Sequence, residues 1–440
     1  MAGPSSGSDT SQDLPGQTRS AGNAVHFEGP LAALGHCRPS FSMTLTLPLF
    51  STWRVRPDRL PCRFSSIFGG LNILATVITM RAPGMTWNRL PIFVWGAISA
   101  SIITLLFTQF FAASLILVLM DRIAGTTFFS GQAGGPLLYQ HLFWFYSHPA
   151  VYIMILPGFG IGLEVLSHFS RKPLFAYKWV VGSFLAIVGL SFIVWAHHLF
   201  TSGMSDDLHI PFMVLTELIS VPTGIVFMSA LGTIWLGRLS LKTPMLFALS
   251  FVFNFLIGGI TGIHLADVPT DIHLQDTYFV VAHFHYTIVG GEVFAIFAGI
   301  YYWFPKITGR MYDERLGRLH FWWMFIGFNV MTLVMFWVGL QGMARRTADY
   351  PAAFGPGNMA VSILAFGLGA AFLPFVYNMV NSWIRGPRAA DNPWRATTLE
   401  WATSSPPPLE NFPSLPTVLA SPYMYGQKGA VHAVMSNGSH

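Results

Sequence analysis

The chain is poor in charge. Of its 440 residues only 10% are Asp, Glu, Lys or Arg, against about 25% in soluble domains, so ions are too few to cover a water-facing surface. Cysteine is nearly absent: Cys37 and Cys62 are the two, too few for a disulfide framework and without zinc-site spacing. No internal repeat or low-complexity tract occurs between residues 65 and 385, and the first 64 residues hold no apolar run long enough for the core of a signal peptide. The net charge of +5 is no nucleic-acid signal, because the basic residues lie in loops between apolar runs.

What the chain has instead is hydrophobicity, 52% of its residues and a mean hydropathy of +0.52. Nine apolar stretches predict membrane spans: 65–80, 91–120, 138–166, 179–200, 211–236, 244–265, 277–304, 321–340 and 359–383. About 20 apolar residues cross a ~30 Å hydrocarbon layer as a helix, and backbone satisfaction in lipid requires helices or closed barrels. The expected fold is therefore an all-α polytopic bundle in a lipid membrane. Residues 1–64, rich in Ser, Gly and Pro, read as an unstructured or aberrant segment, 65–385 as the bundle, and 386–440 as an extended C-terminal tail.

Alternating loops carry opposite loads of base. One side has Arg81, Arg89, Arg171, Lys172, Lys178, Arg238, Lys242, Lys306, Arg310, Arg315, Arg318, Arg385, Arg388 and Arg395, and the other has Arg122, Arg345 and Arg346. The positive-inside rule puts the first group and the C-terminus in the cytoplasm or its mitochondrial equivalent. Residues 1–64 would then face outward despite Arg19, Arg38, Arg54, Arg56, Arg59 and Arg63. An odd number of spans missing from the N-terminal end would reconcile the two.

Histidine within spans is the chemical signal, since a coordinating residue at membrane depth is costly. In Trp144-Phe145-Tyr146-Ser147-His148-Pro149-Ala150-Val151-Tyr152, His148 and Tyr152 share one helical face. They form either a hydrogen-bonded pair or a copper ligand beside a redox-capable phenol. In Trp195-Ala196-His197-His198 the two imidazoles, about 100° apart on a helix, can meet one ion only if both turn inward. With His148 they make a three-imidazole set suited to copper. In Val281-Ala282-His283-Phe284-His285-Tyr286, His283 and His285 point to opposite flanks. Two interhelical hydrogen bonds would account for that, and so would two cofactors, haem iron commonly taking axial imidazole.

Together these elements resemble the catalytic subunit of haem–copper oxidases, the cytochrome c oxidase subunit I family. The resemblance runs from about Phe64 to about residue 417. It includes Met80-Arg81-Ala82-Pro83-Gly84-Met85, Gly125-Thr126-Thr127-Phe128-Phe129, Ile155-Leu156-Pro157-Gly158-Phe159-Gly160 and Val221-Pro222-Thr223-Gly224. Phe294-Ala295-Ile296-Phe297-Ala298-Gly299 and Asp391-Asn392-Pro393-Trp394 complete it. It implies that the spans match the fourth to twelfth of a twelve-span family fold.

By that resemblance His148, His197 and His198 bind the active-site copper, and His283 is the proximal ligand of a high-spin haem. His285 is one axial ligand of a low-spin haem, and Tyr152 matches the tyrosine that the family cross-links to the His148 position. Arg345 and Arg346 match a pair that holds haem propionates, for which guanidinium forks are suited; otherwise they are solvated loop charges. Gln275-Asp276 falls where the family has a magnesium-binding His-Asp. Asp276 is kept, but Gln replaces the His, so the magnesium site does not carry over intact.

Three further departures matter. Ala150 stands where the family commonly has a proton-route Glu, and Tyr146-Ser147 resembles a branch that lacks it. Val226 stands where a second route's lysine is expected, three residues after Thr223, and an aliphatic side chain relays no proton. No pumping is therefore carried over. The span bearing the other low-spin haem ligand lies before Phe64 in the family. His26 and His36 flank no membrane-length apolar segment, so the low-spin haem is expected to be held weakly or not at all.

The function implied is four-electron reduction of dioxygen to water in a respiratory chain, in the bacterial cytoplasmic membrane, with electrons from cytochrome c or quinol. The partners implied are other oxidase subunits, including one through which electrons enter. Alternatives are a related nitric oxide reductase, which Tyr152 disfavours, a truncated incompetent homologue, and a transporter, for which interrupted short helices and internal symmetry are not found. Trp144 and Trp195 read as packing or interface anchors, and Asp206 and Asp207 as solvated. Glu164 reads as a proton relay or a helix-end solvated group, and Glu292 as a relay or a packing contact.

Overall fold

The structure, a computed structural model, describes residues 61–131, 134–427 and 431–435. Expectations for residues 1–60, His26 and His36 among them, lie outside the described residues. Helix α1 (Pro61–Thr79) is followed by α2 (Ile92–Ile123), α3 (Gly135–Ser170) and α4 (Tyr177–Ser191). A 3-10 turn at Trp195–Leu199 precedes α5 (His209–Leu218), α6 (Ser220–Ile234), α7 (Thr243–Ala266) and the short α8 (Val268–Leu274). Then come α9 (Tyr278–Phe284), a π-helix (His285–Val293), α10 (Phe294–Thr308), α11 (Glu314–Leu340), α12 (Gly355–Ala370) and α13 (Phe372–Arg385).

Seven of the described helical segments are long and apolar enough to cross a membrane, and Ser66–Thr79 and Tyr177–Ser191 are shorter apolar helices. These nine coincide with the nine predicted stretches, with one informative difference. The stretch 179–200 is not one helix: α4 stops at Ser191 after 15 residues, about 22 Å of rise. It yields to the 3-10 turn that carries His197 and His198.

Helix α3 is the central column, packed on α2, α4, α6, α7 and α10. Its crossing with α2 depends on two residues without side chains. A Cβ on Gly96 would lie 2.5 Å from the Leu156 carbonyl oxygen, and one on Gly160 would lie 2.7 Å from Phe93 Cα. Close approach at small residues is how helices associate where lipid removes the hydrophobic incentive. Pro149 and Pro157 lie inside α3, tolerated because neighbouring groups can re-satisfy the freed carbonyls.

The described residues from 386 onward, expected as an extended tail, are mostly irregular but docked on the basic end of the bundle. Strands β1 (Pro416–Val418) and β2 (Ala433–Met435) pair antiparallel. Lys306 of α10 donates to the carbonyls of Asp391, Thr403 and Ser404 at 2.7–3.1 Å. Arg171 donates to the Arg395 and Trp394 carbonyls, and Trp394 Nε1 donates to the Tyr302 carbonyl at 2.8 Å. Glu164 is not a solvated helix end: it is buried, with Oε2 accepting from Tyr423 of the tail at 2.5 Å.

Candidate metal centre

His148 is supplied by α3, and His197 and His198 by the 3-10 turn. Unwinding there lets neighbouring imidazoles turn to one point, which a regular helix resists. His148 Nδ1 lies 3.2 Å from His198 Nε2, and His197 Nε2 lies 3.1 Å from His198 Nε2. All three ligating atoms fall within 4.8 Å of one another. Imidazole nitrogens bound at about 2.0 Å in a trigonal set sit about 3.5 Å apart, so the trio fits one ion with small adjustment.

Hydrogen bonding decides which nitrogens are free. Thr216 of α5 spends its hydroxyl proton on the Phe212 carbonyl at 2.6 Å, so it accepts from His197 Nδ1–H at 3.1 Å. That leaves the His197 Nε2 lone pair for an ion, since the bond at one ring nitrogen sets the role of the other. His148 Nε2 is buried with no partner among the described residues. The Tyr152 ring stands edge-on to His148, centroids 5.0 Å apart.

His283 obeys the same logic. Thr261 of α7 donates to the Ile257 and Gly258 carbonyls, so it accepts from His283 Nδ1 at 3.1 Å and leaves Nε2 free. Gly262 admits the ring, because a Cβ there would sit 2.9 Å from His283 Cε1. His285 Nδ1 is instead tied to the Val281 carbonyl of its own helix at 2.8 Å. It opens the π-helix, a feature that clusters at functional sites and that periodicity did not disclose.

Three neighbours were missed or undervalued from sequence. Trp144, read as packing, lies face-on against His198, centroids 3.6 Å apart at 14°. Gln275 Nε2 donates to the His198 carbonyl at 3.1 Å. Thr216 has no distinguishing sequence signal at all. Trp195 packs edge-on against Phe145 and Phe212 and donates its indole N–H to His141 Nδ1 at 3.3 Å, and Asp206 and Asp207 are exposed. Glu292 is partly buried, with Oε2 lacking a partner among the described residues, and its Cα lies against Gly158 of α3. Tyr146, before His148, is buried and stacked on Phe111.

Arg345 and Arg346 are not loose loop charges. Arg345 Nη2 lies 2.8 Å and Arg346 Nη1 3.5 Å from Asp276 Oδ1, and the Arg345 amide donates to the Asp276 carbonyl at 2.8 Å. Asp276 and Arg346 both have positive φ, 59° and 64°, uncommon for residues with side chains. Asp276 Oδ1 is thus shared by two guanidinium groups, positive neighbours that oppose a cation at that oxygen. Nearby Asp271 is buried with Oδ2 unpartnered among the described residues. Burial pushes its carboxyl up to about 8, against the pull of Arg345 and with the help of Asp276.

The family described as Cytochrome C and Quinol oxidase polypeptide I matches residues 32–367, starting ahead of the Phe64 from which the resemblance was read. Cytochrome c oxidase subunit 1 of Synechocystis sp. is 52% identical over 82% of this chain and 66% of its own length. That of Thermostichus vulcanus is 49% identical over the same shares, 82% and 66%. A probable cytochrome c oxidase subunit 1-alpha of Streptomyces avermitilis is 49% identical over 81% of this chain and 62% of its own length. The chain thus spans slightly less than two thirds of these relatives. A haem–copper terminal oxidase dimer solved by cryo-EM shares the fold, with a TM-score of 0.61 at 21% identity over 68% of this chain and 58% of that one. The match over residues 32–367, on a helical bundle that brings three imidazoles together, places this chain in the cytochrome c and quinol oxidase polypeptide I family.

Proposed function

We propose that this chain is the catalytic subunit of a respiratory terminal oxidase that reduces dioxygen to water, with electrons from cytochrome c or quinol. The observation that carries the reading is the convergence of His148 Nδ1, His197 Nε2 and His198 Nε2, beside which Thr261 leaves His283 Nε2 available to a second group. In this assignment His148, His197 and His198 hold copper, His283 holds a high-spin haem, and His285 offers one axial ligand to a low-spin haem. Iron and copper, when bound, would supply electrons to dioxygen, four electrons and four protons being needed for two waters.

The chain's own residues orient and protect. Thr216 and Thr261 fix the imidazole tautomers, and Trp144 covers one face of His198. Tyr152, its ring edge-on to His148, would give a hydrogen atom to the reacting oxygen, and His148 Nε2, without a partner among the described residues, suits the family's link to that ring. Arg345 and Arg346, braced by Asp276, would receive haem propionates. Val226 is buried among Phe159, Leu163, Ala230, Phe251 and Phe255, an apolar setting that supports no proton route there. The bundle would work in a bacterial cytoplasmic membrane with its basic end and C-terminus inside. Other oxidase subunits, including one through which electrons enter, would complete it.

The test is optical. Purified chain should give a reduced-minus-oxidised spectrum with a carbon-monoxide-reactive, high-spin band and bind copper, and His283→Ala should abolish that band. Well-folded material without haem would overturn the reading.

A further inference from the structure

Helices α1, α2 and α4 leave between them an apolar groove of about 330 Å³, a volume within the range of ligand sites. Leu74 and Val77 of α1, Trp95, Ile98 and Ile102 of α2 and Leu185 of α4 line it. It lies at the basic end of the bundle. From Trp95 to Ile102 the helix rises about 10 Å, inside the ~15 Å that one leaflet's hydrocarbon occupies.

An apolar groove alone would take any lipid, and it is the mouth that gives this one a preference. Arg81, just past the end of α1, holds its guanidinium carbon 4.1 Å from the centre of the Trp87 ring. That ring lies 5.7 Å from Trp95 in the groove wall. Lys178 is exposed, two turns before Leu185 on the same face of α4. Gly182 lies between them, and a Cβ there would meet nothing within 4 Å, so the stripe is open along its length. Among the described residues neither Arg81 nor Lys178 pairs with a carboxylate. Basic groups between membrane helices at this end bind anionic head groups, and a guanidinium fork fits phosphate.

We infer that the groove binds an anionic phospholipid from the leaflet at the basic end, its phosphate on Arg81 and Lys178 and one acyl chain laid along Leu185, Ile98 and Ile102. Charge decides the occupant. A zwitterionic lipid brings a cation of its own to these two, and twofold pairing with a second copy would bring two more. The inference needs only that the chain spans a membrane, so it stands or falls apart from the oxidase chemistry.

The test is photo-cross-linking of the full chain in phosphatidylcholine vesicles doped with phosphatidylglycerol that carries a diazirine in one acyl chain. Peptide mass spectrometry should find adducts on α1, α2 and α4 around the groove, removed by unlabelled phosphatidylglycerol and not by added phosphatidylcholine or inorganic phosphate. Arg81→Gln and Lys178→Gln should each weaken cross-linking about fivefold, and about thirtyfold together. Arg81→Lys, which keeps the charge, should retain most of it, and Gly182→Phe, which fills the stripe, should abolish it. Melting temperatures should stay within a few degrees, since Lys178 and Gly182 are exposed and Arg81 is half-buried. Equal competition by phosphatidylcholine would show an unselective lipid annulus, and competition by inorganic phosphate a bare anion site. Adducts that survive the double charge variant would place the head group elsewhere. Adducts in vesicles but none in doped native membranes would show the groove covered by another protein. Any of these four outcomes overturns the inference, whatever the haem and copper content.

Discussion

Thr216 Oγ1 lies 3.1 Å from His197 Nδ1, and its proton is already committed to the Phe212 carbonyl at 2.6 Å. The hydroxyl can therefore only accept, and it holds His197 in the tautomer whose Nε2 faces His198. Thr216→Ala removes that acceptor without touching a ligand. Copper affinity, measured by chelator competition, should fall about 10–100-fold, and Thr216→Ser should recover most of it. Unchanged affinity would mean that the ring is oriented by other contacts.

Gly262 is the space His283 needs. The Cβ of Gly262→Ala would stand 2.9 Å from His283 Cε1, so the ring must yield by a few tenths of an ångström. Crowding of this kind costs about 1–3 kcal/mol. The carbon-monoxide-reactive band should weaken severalfold or shift while the melting temperature moves by a few degrees. An unaltered band would separate His283 from the haem.

The tail is held through Tyr423, whose hydroxyl donates to Glu164 at 2.5 Å and accepts from the Ile92 amide at 2.6 Å. Tyr423→Phe leaves a buried carboxyl oxygen and a buried amide without partners. Unsatisfied buried polar groups cost about 1–3 kcal/mol each. Limited proteolysis should cut the tail faster in this variant, and Glu164→Gln, which can still accept, should be milder.

Asp271 gives the pH prediction. Its carboxyl is pushed up to about 8 by burial, so the folded protein holds a proton that the unfolded chain releases near 4. Its contribution is therefore fully present below pH 4 and is lost as pH rises toward 8, at no more than about 1.4 kcal/mol per pH unit. Asp271→Asn should flatten that decline in thermal stability across pH 5–8. An unchanged slope would show the carboxyl ionised throughout.

Much of the fold was legible because crossing a membrane is a local demand. The run 91–120 must be helical to satisfy its own backbone in hydrocarbon, and α2 spans Ile92–Ile123. Where the reading failed, long-range contacts had intervened. The stretch 179–200 breaks at Ser191, and nothing in its apolarity reports the turn that aims two histidines together. Glu164, near the end of α3, gave no hint of a partner 259 residues away. Arg345 and Arg346 were legible as basic, yet their shared partner Asp276 is 69 residues from Arg345.

The sequence by itself determined that this chain crosses a membrane repeatedly and carries histidines where histidine is expensive, because both follow from residue type and run length. Only the tertiary structure decided that His148 and His198, 50 residues apart, present nitrogens to one point. It also decided that threonines from other helices leave the correct nitrogen of His197 and of His283 free. A ligand set exists only where separate helices meet, and that meeting is fixed by packing at positions such as Gly96 and Gly160, which carry no chemistry of their own.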